Sequence, residues 1–108
     1  METIEHIKQM EKTLNQGEKS LSQTLDNLEE IQQNLDHYQT LFAYYQSPEW
    51  FEHFALDEQG KLPVDLPRGV LSEDGIYNFL ATYVSLADKL KEVSDKMSQK
   101  LDELRPKD

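Results

Sequence analysis

The chain has 108 residues, no cysteine, 37% hydrophobic and 30% charged residues, and a formal net charge of −10. This length predicts a single domain covering residues 1–108. Without cysteine, the chain has no disulfides, thiolate metal ligands or thiolate nucleophiles. The acidic excess predicts that nucleic acid and anionic membranes are repelled, because phosphate groups are bound mainly through lysine and arginine.

The first 46 residues carry one long heptad pattern. The start, METIEHIKQMEK, is acidic where a signal peptide is basic and lacks the apolar run that would follow, which predicts a cytoplasmic protein. The heptads predict one helix over about residues 2–46, with Gly17 as the point at which it could bend. Apolar residues recur every seven positions without a miss, at Ile7, Leu14, Leu21, Leu28, Leu35 and Phe42.

Residues 47–71 form a long connector. Its first part, SPEWFEHF, predicts a short helix with Ser47 as the N-cap and Pro48 at the first helical position. Its second part, GKLPVDLPRGVL (residues 60–71, here called the strap), is predicted to be extended, because Pro63 and Pro67 exclude a helix.

The last segment opens at LSEDGIY. Ser72 can accept a hydrogen bond from the free N–H groups of a first helical turn, and the two acidic residues after it favour the positive end of the helix dipole. Apolar residues then alternate in steps of four and three as far as Leu104. The pattern predicts a helix over about residues 72–104 that is ended by Arg105 and Pro106.

Together these elements predict an all-α fold. It is a long antiparallel helical hairpin with coiled-coil-like packing, and the short helix and the extended, proline-containing connector pack against it. Neither long helix can bury its second apolar stripe, such as Phe79, Leu86 and Val93, in a two-helix contact. A homodimer that closes a four-helix bundle is therefore predicted.

The connector and the start of the last helix also resemble a known family. The stretches YYQSPEWFEHF and DEQGKLPVDLPRGVLSEDGIYNFL are similar to the signature of Domain of unknown function 4298 (DUF4298), a family of small bacterial proteins. The most specific part is GKLPVDLPRGVLSEDGIY. The resemblance implies a bacterial, cytoplasmic protein and transfers neither an activity nor a catalytic residue.

The apolar residues of the connector are the candidates for a partner-binding site. Burial of its three large rings alone does not offset the conformational entropy lost when the connector becomes ordered. Two alternatives therefore stay open, a fixed lid over the helices and a contact with a partner or second copy. The residues concerned are Trp50, Phe51, Phe54, Leu62 and Leu66 of the connector and Tyr45 just before it.

A histidine flanked by carboxylates is the most enzyme-like group. Glu49, His53 and Asp57 are spaced four apart and could bind a divalent metal or supply a general base. On a helical wheel, however, the trio lies opposite the aromatic rings. If those rings are buried, the trio faces water, so a solvated surface is preferred to a metal site or to catalysis.

The predicted function is a non-enzymatic interaction module, an adaptor or regulator that self-associates and binds an unidentified protein partner without a cofactor. The alternative is a metal-dependent hydrolase resembling nucleotide pyrophosphatases, which use E-x-x-E followed by E-x-x-D. Glu49 with Glu52 and Glu92 with Asp95 match those letters, but the 39 residues between the pairs are more than the motif normally allows. A remote alternative is an acidic mimic of DNA.

Overall fold

The computed structural model describes residues 1–105. Within this range there are no strands, and the all-α prediction is confirmed, with a long helix on each side of the connector as the predicted hairpin requires. The α-helices are α1 (Glu2–Gln33), α2 (Leu35–Tyr44), α3 (Pro48–Glu58) and α4 (Gly75–Leu104), and a 3-10 helix spans Gly69–Leu71. None of the helices in the described range is both long and apolar enough to cross a membrane.

The chain divides into two compact units, residues 1–40 and a second unit that begins at Leu41. The first unit consists of α1 and the first residues of α2. The helix predicted over residues 2–46 is continuous through Gly17 and is instead interrupted at Asn34. There the Asn34 amide side chain donates to the Glu30 carbonyl oxygen at 2.8 Å, and the backbone N–H donates to the Ile31 carbonyl oxygen at 3.0 Å. An asparagine that bonds the backbone locally competes with the helical pattern, which explains the break.

The second unit contains the only buried residues of the described range, Trp50, Leu71 and Ile76, which keep 2–6% of their surface exposed. They come from α3, the 3-10 helix and α4, which contact one another through the 3-10 helix. Phe42 at the end of α2 lies 5.6 Å from the Phe79 ring and 5.3 Å from the Tyr83 ring of α4, measured between centroids. The connector is therefore packed as a small core at the start of α4.

Local signals fix the ends of α3. The Ser47 hydroxyl accepts the Trp50 backbone N–H at 3.1 Å, with Pro48 at the first helical position, as predicted. Gly60 follows the helix with φ at 69°, and the next N–H, that of Lys61, donates to the Leu56 carbonyl oxygen at 3.0 Å. This is the Schellman arrangement, in which a glycine adopts the left-handed conformation that other residues avoid.

The start of α4 differs from its prediction by three residues. Ser72 does accept a helical N–H, that of Gly75, at 2.9 Å, and its hydroxyl donates to the Gly69 carbonyl oxygen at 2.7 Å. The helix itself begins only at Gly75 because residues 73 and 74 form a turn. At the other end the helix runs to Leu104, as predicted, and Arg105 is its C-cap, while Pro106 lies outside the described residues.

The strap was predicted to be extended because of its two prolines, but it is not extended throughout. Its backbone turns at residues 63–66, where the Leu66 N–H donates to the Pro63 carbonyl oxygen at 3.2 Å, and it then forms the 3-10 helix. The prolines exclude an α-helix, but they are compatible with turns.

Candidate functional site

Trp50 is the centre of the packed connector. Its α3 position is set by the Ser47 cap, and its indole Nε1–H donates to the Val70 carbonyl oxygen at 2.8 Å, which joins α3 to the strap. The Phe54 ring stacks on the indole with centroids 5.3 Å apart. The rings of Tyr45 and Phe51 meet it edge-on, at 5.3 and 5.0 Å. The buried Trp50, whose indole N–H has a hydrogen-bond acceptor, therefore anchors the cluster.

One side of this cluster opens to solvent as a cleft of about 530 Å³, here called the aromatic cleft. Two of its rings are largely exposed, Phe51 at 55% and Tyr77 at 61%. The Tyr45 hydroxyl donates to the Glu73 backbone carbonyl oxygen at 3.0 Å, which ties the end of α2 to the residues before α4. Rings and carboxylates line the cleft together: Trp50, Phe51, Phe54 and Tyr77, with Glu73 and Asp74.

The two acidic residues of the aromatic cleft, Glu73 and Asp74, are exposed. Across residues 1–105, neither Glu73 nor Asp74 takes part in an ion pair or a side-chain hydrogen bond. Residues 47–75, which include Glu73 and Asp74, hold seven acidic and two basic residues, a net charge of −5. The cleft is therefore aromatic on its walls and negative in its surroundings.

Arg68 holds the turn of the strap in place. Its guanidinium donates to the backbone carbonyl oxygens of Pro63, Val64 and Leu66 and forms an ion pair with the Asp57 carboxylate of α3. A planar guanidinium with five N–H donors suits such a set of acceptors better than an ammonium would. One side chain thus folds the strap and joins it to α3.

The trio Glu49, His53 and Asp57 does not face water as a set. Only Glu49 is exposed. Asp57 pairs with Arg68, and His53 Nδ1 shares a hydrogen bond of 2.7 Å with the Tyr44 hydroxyl. The helical wheel places residues on faces of α3 but does not include Tyr44 and the strap, which cover part of the polar face. Burial raises the pKa of the Tyr44 phenol above its usual value, and the Glu49 carboxylate raises it further.

No three histidine, aspartate or glutamate side chains of residues 1–105 form a group that could hold a metal ion. Two members of the trio already have partners within the chain, since His53 is hydrogen-bonded to Tyr44 and Asp57 is paired with Arg68. Of the second acidic pair considered above, Glu92 forms ion pairs on the surface of α4 with Lys89 at 3.4 Å and Lys96 at 3.1 Å.

The structure brings four of the six predicted contact residues together, namely Tyr45, Trp50, Phe51 and Phe54. Leu62 is half-buried and Leu66 largely exposed, and neither lines the aromatic cleft. Sequence reasoning missed Tyr77 as a wall of the cleft. It treated Glu73 and Asp74 only as signals for the start of a helix, and it gave Arg68 no role. The available signal for Arg68 was an isolated arginine in a strongly acidic connector.

A second, purely apolar surface lies along the far half of α4. Val93, Met97, Leu101 and Leu104 line a shallow groove of about 400 Å³, and the stems of Lys96 and Lys100 border it. Nothing else in the described range covers these side chains, which are 42–80% exposed.

Comparison with known proteins gives one family match. The family model described as Domain of unknown function (DUF4298) matches residues 7–93, which include both the aromatic cleft and most of α4. Searches of the curated proteins and of the solved structures find no significant match.

Proposed function

The chain belongs to the family Domain of unknown function (DUF4298), and we propose that it is a non-enzymatic protein-interaction module that self-associates through its long helices. One observation carries the proposal. The apolar stripe that runs along α4 is 37–80% exposed at every position beyond the packed core, namely Leu86, Leu90, Val93, Met97, Leu101 and Leu104. Contiguous exposed apolar surfaces of this extent mark contact sites.

The stripe is large enough to support a dimer. The exposed fractions of its six side chains sum to about three complete side chains, so covering the stripe gains roughly 6 kcal/mol per helix and about 12 kcal/mol for a symmetric pair. Association costs about 4–15 kcal/mol. The two quantities are similar, so α4 alone supports weak pairing.

Charge favours α4 as the central contact. Residues 75–104 contain four lysines and five acidic residues, a net charge of −1, whereas residues 2–33 contain three lysines and seven acidic residues, a net charge of −4. Two copies of α4 can therefore lie side by side with little repulsion, while two copies of α1 repel each other.

The test compares two valines of α4 that lie about 180° apart on the helix, at 100° per residue. Val93 belongs to the stripe and Val84 does not, although both are exposed. We expect Val93→Glu to weaken self-association in sedimentation equilibrium at least about tenfold, because it places a carboxylate in an apolar contact. Val84→Glu should leave self-association unchanged, and circular dichroism should show that both variants remain helical.

Two results would contradict the proposal. One is a wild-type chain that remains monomeric up to millimolar concentration. The other is an equal loss of association in the two valine variants, which would indicate an effect of charge rather than of the stripe.

The role as adaptor or regulator and the cytoplasmic location are further parts of the proposal. Affinity purification from native cytoplasm, with identification of partners by mass spectrometry, tests both. Repeated purifications that return no protein other than the chain itself would argue against an adaptor.

A further inference from the structure

We propose that the aromatic cleft binds an arginine side chain from a basic segment of a partner protein. The inference rests on the proposed role as an interaction module, but it concerns a different surface from the α4 stripe. It follows from the chemistry of the cleft, which is lined by exposed aromatic and exposed acidic residues.

The rings supply the first half of the recognition. Phe51 and Tyr77 are more than half exposed, although the neighbouring indole of Trp50 is buried. A guanidinium that lies over an aromatic face is attracted by the negative charge density of that face, and its flat shape matches the ring. The Phe51 ring packs edge-on against Trp50 at 5.0 Å, and Trp50 in turn stacks on Phe54, so the Phe51 ring needs little ordering on binding.

The carboxylates supply the second half. Glu73 and Asp74 line the same cleft and lack a cation anywhere in residues 1–105. A guanidinium can stack on a ring and donate to a carboxylate at the same time, whereas a compact ammonium is more strongly hydrated and cannot form the bidentate pair. The chemistry therefore favours arginine over lysine.

The charge of the surroundings also favours a cationic partner. Of the two basic residues among the 29 that span positions 47–75, Arg68 is already paired with Asp57. A second copy of the chain is a poor source of the arginine, because its other arginine, Arg105, follows Asp102 and Glu103 and therefore does not belong to a basic segment. A net negative field steers positively charged segments toward the cleft.

The probe for the test is a short peptide of alternating glycine and arginine, acetylated and amidated at its ends. Two matched peptides replace arginine with lysine or with the neutral isostere citrulline. The indole N–H signal of Trp50, the single tryptophan of the chain, reports binding in ¹⁵N–¹H NMR spectra. We expect the arginine peptide to bind most tightly and the citrulline peptide to bind most weakly.

The variants separate the cleft from general electrostatics. Phe51→Leu and Tyr77→Leu remove one exposed ring each and should weaken binding of the arginine peptide about two- to fivefold. Glu73→Gln should weaken it by a similar factor. The control Glu58→Gln removes one charge from the exposed end of α3, outside the lining of the cleft, and should have a smaller effect.

The inference is overturned if the citrulline peptide binds as well as the arginine peptide, if Glu58→Gln weakens binding as much as Glu73→Gln, or if the Trp50 signal does not move. Equal binding by both ring variants and the wild type would also overturn it. The titration is repeated on Val93→Glu, in which the α4 stripe is disrupted. A failure of self-association alone leaves this titration unchanged, so the two proposals can fail separately.

Discussion

Replacing Arg68 with glutamine should loosen the strap without disturbing the long helices. The guanidinium donates to the carbonyl oxygens of Leu66 and Val64, at 3.4 and 3.3 Å, and to that of Pro63. It also pairs with Asp57. Glutamine is shorter and uncharged, so it cannot reach this set of acceptors.

The size of the effect follows from the exposure of these groups. The side chains of Arg68 and Asp57 are 34% and 22% exposed, so water partly replaces the lost bonds. Three hydrogen bonds at about 0.5 kcal/mol each and a partly exposed ion pair at about 0.5–1 kcal/mol give a loss of roughly 2 kcal/mol. Such a loss makes opening of the strap about 30 times more frequent.

A lysine-specific endoprotease measures this opening at Lys61, the only lysine between Lys19 and Lys89. When the strap closes faster than it is cut, the cleavage rate follows the population of the open form. We therefore expect cleavage at Lys61 to accelerate by up to about 30-fold in Arg68→Gln. The midpoint of urea unfolding should also fall.

The matched control is Arg105→Gln. Arg105 is also an arginine in an ion pair, but it is 76% exposed at the end of α4, where such pairs contribute little. If the two variants were cleaved at the same rate and unfolded at the same urea concentration, Arg68 would have no special part in holding the strap.

Two further predictions concern stability. A β-carbon on Gly75 would lie 2.3 Å from the Gly69 carbonyl oxygen, so Gly75→Ala should lower the midpoint of urea unfolding. The matched variant Gly17→Ala has open space around the new β-carbon and should raise the free energy of unfolding by about 1 kcal/mol. Equal effects of the two alanines would refute the close approach. The second prediction follows from the raised pKa of Tyr44. The unfolded chain loses this proton first as the pH rises above about 10, so the stability that the neutral phenol provides is complete below that pH and is lost as the pH rises through the folded-state pKa. Between pH 9 and 11 the urea midpoint of Tyr44→Phe should therefore fall less steeply than that of the wild type. Parallel slopes would contradict the assignment.

Most of the helical structure can be predicted from patterns in the sequence. Heptad spacing identified both long helices, and Ser47 with Pro48 fixed the start of α3, because caps and the proline ring act within a few residues of their own position. The same local chemistry gave the N–H acceptor at Ser72. The break at Asn34 was missed, because an asparagine within a helix either points to solvent or bonds the backbone, and the spacing of apolar residues does not distinguish these.

The division of the connector between core and surface depends on contacts between elements and could not be predicted from the sequence. The helical wheel grouped Trp50, Phe51 and Phe54 on one face, yet Trp50 is buried and Phe51 is 55% exposed. A wheel gives directions around one helix, whereas burial depends on which other elements cover each direction. The strap covers Trp50 through Val70 and leaves Phe51 in the cleft.

The role of Arg68 depends on tertiary structure for the same reason. Its acceptors lie two to five residues away in the strap and eleven residues away in α3, and they converge only when the strap turns. The helical framework was determined by interactions between residues three, four or seven positions apart, which can be found in the sequence. The cleft and the strap depend on contacts between residues far apart in the chain, and these form only when the connector folds onto the start of α4.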